Sequence, residues 1–105
     1  GLWAQLRLQE AGGGLRAPGD SITLSCQGSG FNFGYFGIYW YRQAARGSPE
    51  WVSFISTASS VRKSAPAVEA RALVSRDDSR SESSLSLRVL GPQDSARYFC
   101  AITRG

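Results

Sequence analysis

Few residues in this chain have types and spacings that could do chemistry. Asp77 and Asp78 stand side by side in "SRDDS", Cys26 and Cys100 lie far apart, and "GSGFNFG" (28–34) sets glycines around two phenylalanines. Paired carboxylates suit general acid–base work only when both reach one substrate. Neighbours in a strand point to opposite faces, so a solvated strand-to-turn transition accounts for the aspartates better. The glycines lack the G-x-G-x-x-G spacing of a dinucleotide loop, and no helical pattern follows them. The chain has no histidine, which removes Ser-His-Asp and Cys-His nucleophiles and two-histidine metal sites. Its single asparagine, Asn32, is followed by Phe33 and Gly34, so no N-glycosylation sequon exists. No enzyme, metal or cofactor is expected. Two cysteines are too few for a structural zinc site, and a disulfide is their better use. If they pair, the bond closes about three quarters of the chain, is worth ~4 kcal/mol by chain entropy, and implies an oxidising compartment.

The elements that must position these residues are bounded by composition. A length of 105 residues suits one domain spanning 1–105, and 42% hydrophobic with 19% charged residues is an ordinary globular balance. No apolar run approaches the ~20 residues of a membrane span. The opening "GLWA" (1–4) reads as a leader remnant or tag. The net charge of +4 comes from arginines scattered along the chain and the single Lys63. With no basic run and no nucleic-acid motif, a solvated surface is expected and nucleic acid is not a partner.

Short alternations of apolar and polar residues recur in "QLRLQ", "SITLSC", "IYWYRQ", "ALVSR", "SLSLRV" and "ARYFCAI". Between them stand breakers such as "GGGLRAPGD", "AARGSP", "STASS" and "DDSRSES". Strands at roughly 8–12-residue spacing predict an all-β sandwich or barrel with no long amphipathic helix, and "GPQDSAR" suits one helical turn.

Leu24 and Cys26 share one face of an early strand, Tyr98 and Cys100 share one face of a late strand, and Trp40 lies on the strand after the first loop. With "LRLQEAGGGL", "PGDSITLSC", "SGFNF", "WYRQA", "EWVS", "SRDDS" and "DSARYFC" in order, the chain from Leu6 to Ala101 resembles an immunoglobulin heavy-chain variable domain. The resemblance implies a V-type β-sandwich of two antiparallel sheets in Greek-key order, joined by an inter-sheet Cys26–Cys100 disulfide against a buried Trp40. It also implies a tyrosine corner at Tyr98 and a structural Arg71–Asp94 pair closing the bottom of the sandwich.

The same resemblance implies three binding loops, at Asn32–Tyr39, at Phe54–Lys63 and after Ala101. Asn32, Tyr35, Phe36, Phe54, Thr57, Ser59, Ser60, Arg62 and Lys63 are candidate antigen contacts, joined by Ile102, Thr103 and Arg104 as the stub of the third loop. Rings among small polar residues give large contact area at little entropic cost. Phe31 and Phe33 are expected to pack the first loop onto the framework. Tyr41, Ser48, Pro49 and Trp51 occupy the positions that meet a second variable domain in paired receptors. Tyr41 and Ser48 lean toward single-domain antibodies, Pro49 fits neither pattern, and Trp51 is the residue of paired domains.

Beyond Cys100 the chain has only "AITRG", without the aromatic-Gly-x-Gly marker of a final strand. A continuation of the chain, a strand from another chain, or a germline-like segment would each account for this, the first being favoured. Three readings of function stand: antigen recognition without a light chain, a variable domain of a paired antibody or T-cell-receptor-type molecule, and a structural immunoglobulin domain that recognises nothing. All three place the protein outside the cell, secreted or in a receptor ectodomain. A protein or peptide antigen, and in the second reading another V domain, are the expected partners.

Overall fold

The computed structural model describes residues 6–104, so the possible leader or tag at 1–4 lies outside the described residues. Eight strands follow one another: β1 (Arg7–Ala11), β2 (Ile22–Ser29), β3 (Phe36–Gln43), β4 (Glu50–Ile55), β5 (Arg62–Ser64), β6 (Ala72–Asp77), β7 (Glu82–Leu87) and β8 (Arg97–Arg104). They form two antiparallel four-stranded sheets in the orders β1-β2-β7-β6 and β5-β4-β3-β8. The expected all-β sandwich with Greek-key connections is therefore present.

Alternation explains which side of each strand faces the other sheet. In β2, Leu24 and Cys26 point inward while Thr23 and Gln27 face out, and in β7 Ser83, Leu85 and Leu87 do the same. From the second sheet come Ile38, Trp40, Val52 and Ile55, all essentially inaccessible. Each large apolar side chain buried in this way contributes roughly 1.5–3 kcal/mol. Cys26 and Cys100 join the two sheets with their Cα atoms 6.4 Å apart, as the resemblance implied. Trp40 packs in the same core and donates its Nε1–H to Ser83 Oγ at 3.2 Å, while Ser83 donates onward to the Ser75 carbonyl.

Three elements differ from the strand pattern in the sequence. β4 carries no clean alternation because the register shifts at Trp40/Tyr41, which puts both Val52 and Ser53 in buried positions. β5 is a polar tripeptide whose strand state comes wholly from pairing with Ser53–Ile55 of β4. β7 stops at Leu87 instead of running to Val89, whose φ of 51° turns the chain. The helical turn in "GPQDSAR" forms as a 3-10 turn at Pro92–Asp94.

Candidate functional site

Side chains with unusual environments gather in three places: the loop end of the sandwich, its opposite end, and the outer face of the β5-β4-β3-β8 sheet. At the loop end, 3-10 turns at Phe33–Tyr35 and Thr57–Ser59 sit beside one another. Arg76, whose side chain is only 2% exposed, ties them together. Its Nη2 donates to the Phe33 carbonyl at 3.0 Å, its Nη1 to the Ser56 carbonyl at 2.9 Å, and its Nε to Asp78 Oδ1 at 2.7 Å. The guanidinium also lies 5.2 Å from the Phe33 ring centre. Sequence reasoning did not single out Arg76. The available signal was its place two residues after Val74, which puts it on the inward face of β6.

The second loop is held from within. Ser56 Oγ accepts from the Val61 N–H at 2.7 Å and shares a 2.9 Å bond with Ser60. Ala58 and Ser59 both adopt φ of 58°, a left-handed conformation that costs roughly 1–3 kcal/mol per residue away from glycine. Asn32, Tyr35, Thr57, Ser60, Arg62 and Lys63 are exposed at or beside this end, Tyr35 at 74%. Ser59 is half-buried.

Other candidate contacts lie within strands, because the strands reach farther than the loop boundaries anticipated. β3 begins at Phe36, whose ring packs edge-on against Phe31 at 5.5 Å. Phe33 is buried in the core and Phe31 packs against it, so both serve the framework. Ile102 and Thr103 are half-buried, and with Arg104 they lie within β8, paired with Ile38, Gly37 and Phe36. The third-loop stub is thus strand along its length, since β3 offers ladder partners up to Phe36.

Phe54 belongs to the outer face. Its ring meets Tyr39 at 4.7 Å and crosses Gly37, where a Cβ would stand 2.9 Å from the ring. Tyr39 continues to Tyr41 at 6.1 Å, and Tyr41 stacks on Phe99 at 5.6 Å. Trp51, opposite Tyr41, has a buried Nε1–H with no acceptor among the described residues. Ser48 and Pro49 are exposed in the β3–β4 connection.

At the opposite end, buried Asp94 receives Arg71 through both Nη atoms at 2.7 and 3.0 Å, Arg42 Nη1 at 2.9 Å and the Gly91 N–H at 3.0 Å. The Arg71 hydrogen bonds, against the opposing effect of burial, hold the Asp94 carboxyl at about 2, with Gly91 and Arg42 assisting. Asp94 in turn raises Arg71. Burial works against the charge of Arg42, yet hydrogen bonds to Glu50, Tyr98 and Asp94 leave its pKa raised. Tyr98 donates its hydroxyl to the Asp94 carbonyl at 2.9 Å and accepts from Arg42 at 3.0 Å; burial pushes its pKa up. Every acceptor here is engaged, which is the arrangement of a structural clasp. Glu10, also missed in the sequence, accepts from the Cys100 N–H at 3.2 Å beside a groove of about 480 Å³ that runs between residues 12–16 and β8.

A disulfide-joined sandwich with a buried tryptophan and a tyrosine corner defines an immunoglobulin-type domain. The family model described as the immunoglobulin V-set domain matches residues 15–105, and the chain belongs to that family.

Proposed function

We propose that this chain is a heavy-chain-like variable domain that recognises a protein or peptide antigen through its loop end and acts without a light chain. The observation that carries the recognition reading is the Arg76 clamp. It fixes two turns side by side while Tyr35, Thr57, Ser60 and Arg62 stay exposed above them. Loops held this way lose little entropy on binding, which favours affinity. The light-chain-free reading draws on the outer face, where Tyr39, Tyr41, Phe54 and Phe99 pack in a row and Ser48 is exposed. Aromatic area already spent on neighbours in the same sheet leaves less for a partner surface.

A paired domain is the second reading, favoured by the half-buried Trp51 on that same face. Under either reading the protein works outside the cell, in keeping with its disulfide. Among the described residues no helix is long and apolar enough to cross a membrane. The groove beside Glu10 is the seat for an added strand, whether from this chain or from another.

An arrayed panel of proteins and peptides tests recognition. A ligand captured by the unaltered chain and lost on Tyr35→Ala with Arg62→Ala, at an unchanged thermal midpoint, supports it; a ligand that tolerates both changes moves recognition off this loop end. Sedimentation with an added light-chain variable domain tests the pairing. A sedimentation coefficient unchanged by the addition supports autonomy, and co-sedimentation favours the paired reading.

A further inference from the structure

Along one side of the molecule the edge strands β5 and β6 border an open cleft. Its volume is about 380 Å³, within the range of small ligand sites. Trp51, Leu73 and Val74 supply apolar lining, and Arg62 and Lys63 bring two cations. Leu73 is 57% exposed there, a large aliphatic side chain with one flank in water.

Charge decides what such a cleft admits. Among the described residues neither Arg62 nor Lys63 makes an ion pair, and Glu69 is the one carboxylate in the lining, so two positive charges face one negative. The outer backbone edge of β5 lies free alongside. A second copy adding there antiparallel would bring Arg62 and Lys63 against their own counterparts, a repulsion that protects edge strands from self-pairing. An acidic strand reverses that sign. Trp51 adds an independent mark, because its indole N–H is buried without an acceptor among the described residues, a condition that disfavours the unliganded state.

We propose that the β5–β6 cleft docks an extended acidic peptide, which adds to the outer edge of β5, rests apolar side chains on Trp51 and Leu73, and sets carboxylates against Arg62 and Lys63. Side chains of an extended segment alternate in direction, so the fitting sequence alternates acidic and aliphatic residues. The site shares Arg62 and Lys63 with the proposed loop contacts, whereas Trp51 and Leu73 stand outside them, so Leu73→Glu reports on the cleft alone.

The test is a titration of the full chain, followed by ¹⁵N NMR, with a capped five-residue peptide of alternating glutamate and valine, and with a lysine–valine counterpart. The acidic peptide should shift the Trp51 indole N–H together with the amides of β5 and β6, saturably and less strongly at high salt, while the basic peptide shifts neither. Leu73→Glu should weaken the acidic peptide about tenfold by steric block and like charge. The exposed pair Arg62→Glu with Lys63→Glu should exchange the preference to the basic peptide, giving a second reading should Leu73→Glu disturb the fold. An unmoved Trp51 indole, equal response to both peptides, or unchanged binding in both variants overturns the proposal.

Discussion

Asp94 shows how far a single residue can set the pH range of this domain. Its carboxyl is held at about 2 against an ordinary value of 3.8, so the folded state favours the ionised form. The stabilisation is therefore complete above about pH 4 and is lost as pH falls toward 2, amounting to about 2 kcal/mol. Acid unfolding followed by circular dichroism should show this loss in the native chain, and Asp94→Asn should flatten the profile over that interval. Asp94→Ala removes the shared partner of Arg42 and Arg71, and chemical denaturation should register a cost of about 3–5 kcal/mol at neutral pH. Trp40→Ala leaves a cavity beside the disulfide and removes one donor from the Ser83 hydroxyl, for an expected ~3–5 kcal/mol in the same assay. A cost below about 1 kcal/mol would remove Trp40 from the core.

At the scale of elements, Arg76 couples segments distant in sequence: the first loop through Phe33, the second through Ser56, and the β6–β7 turn through Asp78. Arg76→Ala removes one donor each from two carbonyls and from a carboxylate. Hydrogen exchange should accelerate together at Phe33–Tyr35 and Thr57–Ser59, by about tenfold or more, while β2 and β7 keep their protection. Acceleration at only one of the two turns would show that they are held separately. Gly37 has a matching steric role, since Phe54 crosses the space a side chain would fill. Gly37→Val should displace that ring and cost about 1–3 kcal/mol, read from the thermal midpoint.

For the whole molecule, the disulfide links two sheets whose strands interleave along the chain, with its cysteines 74 positions apart in sequence. Reduction, or replacement of both cysteines by alanine, should lower stability by about 4–5 kcal/mol in denaturant titration. The transition should stay cooperative, because Trp40, Leu85, Ile38 and Ile55 belong to one core shared by both sheets. Separate transitions for the two sheets would contradict that shared core.

The fold was legible in the sequence wherever one strand face is buried, because alternation and the placing of Cys26, Trp40, Tyr98 and Cys100 are local patterns with a fixed physical period. Local pattern determined strand existence for β2, β3, β6, β7 and β8, and the absence of histidine alone removed whole classes of chemistry. β5 was not legible, since a polar tripeptide becomes a strand only when β4 supplies its ladder. The limits of the loops were likewise settled by pairing: Phe36 and Ile102 to Arg104 are strand because each finds a cross-strand partner, which composition does not encode. The Arg76 clamp and the cleft between β5 and β6 depend on residues brought together from different sheets and turns. Sequence by itself determined the type of sandwich and the side chains that close it; tertiary structure decided which loop residues stay exposed, because exposure is fixed by neighbours far away along the chain.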